Sequence, residues 1–169
     1  GEIARWEVAD PNTKVMPAIE YIAVVAQDNP GKSGLYRARM PDEHIDKAID
    51  MARQMNGIVI LDIQVGLSTV QSEIPALEKY LKMPQVHLAL DPEFSMKGGE
   101  KPGTVIGSLN ANDINYAATY LAGLVKANNL PPKVLIVHRF TQRMVQNAAS
   151  IAPLPEVQIV MVMDGWGSP

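Results

Sequence analysis

At 169 residues, with 47% hydrophobic and 20% charged side chains, the chain has the composition of a globular protein with a core rather than a disordered segment. A net charge of −3 and the lack of any basic run exclude the counterion-displacing face that a nucleic-acid binder needs. The lack of cysteine removes disulfides, thiolate metal sites and thiol nucleophiles together, and no apolar stretch reaches the roughly 18 residues of a transmembrane segment.

Along the chain, apolar runs alternate with amphipathic stretches. A short helix is expected at 2–9, before Asp10-Pro11-Asn12 turns the chain. The run at 18–26 is the first strand. Residues 42–56 carry Ile45, Ile49, Ala52 and Met55 on one helical face, with Gly57 as the stop. A second strand is expected at 57–64. A helix beginning at Ser72 has Ile74, Leu77 and Leu81 as its inner stripe, and a third strand follows at 86–91.

The Gly- and Lys-rich segment 92–110 has the length of a functional loop after a strand. Residues 111–129 repeat apolar positions at helical spacing, with Asn110 as cap and Pro131-Pro132 as terminator. A strand at 134–138, a helix capped by Thr141 with Met144, Val145 and Ala148 inside, and a strand at 157–164 complete the series.

Strands alternating with helices imply right-handed crossovers and a parallel sheet. Two architectures fit: an open doubly wound sheet, or part of a (β/α)8 barrel. The last strand has no covering helix, and five strands cannot close an eight-stranded barrel. Residues 1–169 are therefore expected to form a single α/β domain, with parallel β/α units making a partial TIM-type barrel of five strands and four to five helices. This would be a fragment of a longer (β/α)8 barrel, or one completed by a second copy as a homodimer through its unpaired edges.

In parallel α/β folds the loops that follow the strands gather at one rim. The strand ends here read Asp62-Ile63-Gln64, Asp91-Pro92-Glu93, His138-Arg139 and Asp164-Gly165-Trp166. Each has a plainer reading: Asp62 or Asp164 as a cap, Asp91-Pro92 as a turn, Arg139 as an ion-pair partner, His87 as an interior histidine, His44 as an inert surface residue. As a set, Asp62, Asp91, Glu93, His138 and Asp164 point to a site. Paired carboxylates across a cleft suit glycoside hydrolysis, with Asp62 or Asp91 as nucleophile or base and Glu93 or Asp164 as acid. Gln64, His138 and Arg139 would bind substrate, and Trp166 would stack on a sugar.

Alternatively, Asp62, Asp91, His138 and Asp164 could hold a divalent metal, though His-x-His and His-Glu-x-x-His are absent and an oxygen-rich set suits Mg²⁺ or Ca²⁺ better than Zn²⁺. The favoured expectation is no cofactor. Gly-x-Ser-x-Gly, phosphate-loop and dinucleotide fingerprints are all absent, and Asn29-Pro30-Gly31-Lys32-Ser33-Gly34 reads as a turn.

The stretches GIVILDIQVG (57–66), VHLALDPEFSM (86–96), PGTVIGSLNANDIN (102–115), LPPKVLIVHRFT (130–141) and VMVMDGWG (160–167) resemble a family of uncharacterised bacterial proteins labelled lipoproteins, with a (β/α)-barrel, glycoside-hydrolase-like fold. The resemblance implies that Asp62, Gln64, Asp91, Glu93, His138 and Asp164 share one pocket. It also implies an extracytoplasmic setting, secreted or lipid-anchored, and more chain on both sides, including an export signal and further barrel units. Two functions are carried forward: a hydrolase acting on a carbohydrate or other small molecule, and a non-catalytic envelope protein that binds such a ligand. Metal-dependent hydrolysis stands as a third.

Overall fold

The computed structural model describes residues 1–164. In chain order the elements are α1 (Glu2–Ala9), β1 (Ala18–Ala26), β2 (Arg37–Arg39), α2 (Asp42–Gln54), β3 (Ile58–Ile63), α3 (Val70–Glu73) and α4 (Glu78–Leu81). Then come β4 (Val86–Leu90), β5 (Leu109–Asn110), α5 (Ala111–Asn128), β6 (Lys133–His138), β7 (Val145–Gln146) and β8 (Val157–Val162).

Six strands form one sheet in the order β2-β1-β3-β4-β6-β8; all neighbours are parallel except β2, which runs antiparallel to β1 at the edge. The parallel strands follow one another in sequence order, so every crossover steps the same way. With right-handed crossovers that places the connecting helices on one face. The core agrees: Val59, Leu61, Ile63, Leu88, Leu90, Leu135 and Val137 bury one face of the sheet against Ile45, Ile49, Leu81, Ile114 and Leu121 of the helices. The reversal of strand order that defines a doubly wound sheet is missing from the described strands.

The other face carries Glu20, Ile22, Ile60, Asp62, His87, Ala89, Ile136 and His138, which the register places side by side. It is concave. On a flat sheet β1 and β6 would stand roughly 14 Å apart, three strand spacings, yet His138 Nε2 on β6 lies 2.8 Å from Glu20 Oε1 on β1. The curl closes over the middle of that face: Ile60, Asp62, His87 and Ala89 are all buried. His87 replaces a ladder partner there. Its Nδ1 accepts the Val134 N–H at 2.9 Å, and burial, aided by the Lys133 charge, pulls its pKa down to about 4, leaving it neutral.

Several local expectations need correction. Asn56, not Gly57, ends α2 with a left-handed φ of 51°; Gly57 is required because a Cβ would fall 2.5 Å from the Pro17 carbonyl oxygen. The helix expected from Ser72 begins at Val70 with Thr69 as cap, and Pro75 splits it into α3, a 3₁₀ turn and α4. The helix expected after Thr141 is absent. Val145 is extended and Asn147 left-handed, so two 3₁₀ turns flank β7, which pairs with β5 outside the main sheet. The three strands not foreseen, β2, β5 and β7, are only two or three residues long. By contrast α5 has its full capping box, Asn110 with Asp113. Among the described residues no helix is long and apolar enough to cross a membrane.

Candidate functional site

The site grows from the ends of the strands on the concave face. Asp62 occupies the last concave-facing position of β3, opposite Ile22 on β1 and Ala89 on β4. Gln64, two residues on, is a brace. Its Oε1 accepts the Ala26 N–H at 3.1 Å, and its Nε2 donates to Asp91 Oδ2 at 3.3 Å. Asp91 follows β4, and Pro92 then starts a 3₁₀ turn that carries Glu93. The far end of the long loop returns to fix this turn: the Gly107 N–H donates to the Glu93 carbonyl at 2.7 Å. A Cβ on Gly107 would lie 2.5–2.7 Å from the carbonyl oxygens of Ser95, Glu93 and Pro92, so only glycine allows that approach.

His138 ends β6 between two carboxylates. Nε2 lies 2.8 Å from Glu20 Oε1 and Nδ1 lies 2.7 Å from Asp164 Oδ2. Both ring nitrogens can donate only in the imidazolium form. The Glu20 bond outweighs burial and, with the nearby Asp62 and Asp164 charges, lifts the His138 pKa to about 9.

The carboxylates deeper in the pocket respond differently. Burial, then the neighbouring Asp91 charge, drives the Asp62 carboxyl well above its ordinary range despite the opposing pull of His138. Burial likewise lifts Asp91 to about 6, against His138 and the Gln64 hydrogen bond. The pocket thus gathers a buried acid pushed toward its neutral form, a carboxyl lifted to about 6 and a histidine held toward its imidazolium form. Asp62 Oδ1 has no hydrogen-bond partner among the described residues, although Asp62 is only 4% exposed.

These groups open onto a cavity of about 420 Å³ lined by Glu20, Ile22, Asp62, Gln64, Asp91, Glu93, His138, Phe140 and Asp164. The structure thus brings together six residues singled out at the strand ends: Asp62, Gln64, Asp91, Glu93, His138 and Asp164. Arg139 is not with them. Its Nη2 donates to the Gln142 carbonyl at 3.0 Å, and its side chain lines a neighbouring cleft with Met161 and Met163. Trp166 lies outside the described residues.

Glu20, Ile22 and Phe140 were missed. Glu20 had a signal: it is the one charged residue in the apolar run 18–26. Ile22 and Phe140 are apolar walls that no spacing rule distinguishes from core. The metal set expected from the sequence is also regrouped, since Glu20 joins Asp62 and His138, while Asp164 stands behind the imidazole. Comparison of the chain with protein-family models finds no match, and comparisons with curated proteins and with solved structures find none either.

Proposed function

We propose that the curled sheet is part of a (β/α)-barrel and that its pocket hydrolyses a carbohydrate-type substrate through strand-end carboxylates. The observation that carries this reading is that Asp62, buried with its carboxyl pushed upward, and Asp91, lifted to about 6, meet in one open cavity. Two carboxyl groups whose surroundings push them into different protonation states are what general acid–base chemistry requires. Asp91, steadied by Gln64, is the base or nucleophile. Asp62 holds the proton for the leaving oxygen, a duty that the sequence alone suggested for Glu93 or Asp164. Asp164 is instead engaged with His138, and Glu93 sits at the wall as a hydrogen-bonding group. Several acceptors and few cations suit a ligand rich in hydroxyl groups and disfavour a phosphate. The envelope location rests on the family resemblance alone.

The test is a panel of aryl glycosides and glycans on wild-type protein and Asp91→Asn, with the fold of both monitored by circular dichroism. Turnover that disappears in Asp91→Asn while the fold persists supports the assignment. Equal turnover in the two proteins removes Asp91 from the mechanism. Saturable sugar binding with no turnover would make the protein a ligand-binding member of the envelope instead.

A further inference from the structure

One ligand-type atom each from Glu20, Asp62 and His138 lies within 4.8 Å of the other two. The three residues belong to β1, β3 and β6, which only the curl of the sheet draws together. Carboxylates gather at many surfaces without a partner, so the cluster by itself is weak ground. Two further observations strengthen it. Asp62 Oδ1 is buried with no hydrogen-bond partner among the described residues, and an oxygen left so in a folded protein demands an explanation. Asp164 accepts from His138 Nδ1 and so turns Nε2 into the cluster, the carboxylate–imidazole arrangement that orients a ligating histidine.

We propose that Glu20, Asp62 and His138 bind a divalent transition cation of the Zn²⁺ or Mn²⁺ type, with Asp164 as the positioning residue. An imidazole nitrogen beside two carboxylates favours these ions over Mg²⁺ and Ca²⁺, which prefer an all-oxygen shell. Three protein ligands leave coordination positions for water, the composition of catalytic rather than structural zinc sites. On binding, the cation takes the place of the proton between His138 and Glu20, and Asp62 binds as a carboxylate. In the hydrolytic reading Asp62 would then be a ligand, the cation would supply an acidic water in place of the Asp62 carboxyl, and Asp91 would keep its role. The cation site does not depend on that reading and, when filled, takes over the part given there to Asp62.

The experiment is isothermal titration of chelator-treated protein with ZnSO₄ and MnCl₂, with CaCl₂ and MgCl₂ as competitors, paired with thermal melts. Wild-type protein takes up one equivalent and melts several degrees higher with metal. Asp62→Asn and Glu20→Gln weaken binding at least tenfold, Asp164→Asn weakens it about 10- to 100-fold, and Arg139→Ala, outside the pocket, leaves it unchanged. Because Asp62→Asn is a near-isosteric change, its own melting temperature shows whether it still folds. No uptake at millimolar metal, uptake that Asp62→Asn does not alter, or equal affinity for Ca²⁺ would each overturn the proposal. Metal uptake without turnover on any sugar would leave the cation site standing and remove the hydrolytic reading.

Discussion

Glu73 and Asp62 are both carboxylates withdrawn from solvent, at 0% and 4% exposure, and their surroundings are opposite in character. Glu73 on α3 accepts from Arg37 Nε and Arg39 Nε at 2.8 Å each and from the Ser68 hydroxyl. Burial pushes its carboxyl upward, but the bonds from Arg39, Ser68 and Arg37 together overcome it and hold the group below its ordinary value. It is a fastener, tying the edge strand β2 to the start of α3. Asp62 has an imidazolium nearby and other acids around it, no partner for Oδ1 among the described residues, and a carboxyl pushed upward. A buried carboxyl that is fully partnered builds the fold. One left without a partner inside an open cavity waits for something else.

This contrast breaks most sharply on turnover. Asp91→Asn, beside Asp62, is expected to lower hydrolysis by about 10²–10⁴-fold, the usual weight of a general base, whereas Glu73→Gln should lower it only in proportion to unfolded protein. Steady-state assays with parallel melts separate the two. On stability the ranking inverts. Glu73→Ala removes the acceptor of two arginines and the Ser68 hydroxyl and should destabilise by about 1.5–3 kcal/mol in urea titration, while Asp62→Asn, which relieves a carboxyl that burial and Asp91 push upward, should be neutral or slightly stabilising.

The pH dependence sharpens the same comparison. Asp91 and His138 both have raised values in the folded state. Their contributions are therefore full at low pH and are lost as pH rises, from 3.8 through about 6 for Asp91 and from 6.5 through about 9 for His138. Glu73 has the opposite sign, with a contribution present above its ordinary value of 4.5 and lost as pH falls below it. His87, lowered to about 4, gains stability where Asp91 loses it, and Lys133, lowered to about 8, gains it above that value. Denaturation midpoints should thus decline chiefly from about pH 6.5 to 8 in wild-type protein and rise between about pH 4 and 6 in Asp91→Asn, where His87 stands unopposed. A wild-type rise from about pH 6.5 to 8 would show that the pocket does not strain the fold. The smallest effect is expected for Arg139→Ala, which should leave ligand binding unchanged, because that side chain lines another cleft.

What could be read from the chain follows the same division. The five apolar runs and the long capped helix were legible because core-facing positions repeat at fixed spacing, and Asp62, Asp91, His138 and Asp164 stood out as polar residues closing those runs. The edge strand β2 was not, since Arg37-Ala38-Arg39 has no apolar pattern and is held by Glu73, far away in sequence. The 141–151 segment carried a helical stripe, but Asn147 in the left-handed region and the β5–β7 pairing overrode it. Glu20 escaped because its role depends on curvature. Only when β1 swings toward β6 does a charged residue in an apolar strand meet His138.

One irregularity of β1 has an effect beyond its own strand. Between Ile22 and Val24 the pairing with β3 slips by a residue, so that Ile22 faces Asp62 but Val24 faces Ile63. Ahead of the slip, even-numbered side chains look into the cavity. Behind it Val24 joins the helix-facing core, and Ala26 offers its amide to Gln64. A single strand thereby supplies an acid to the pocket and a backbone anchor to the brace behind Asp91. Deleting Ala23 would restore a regular ladder and force β1 to give up one of those two duties.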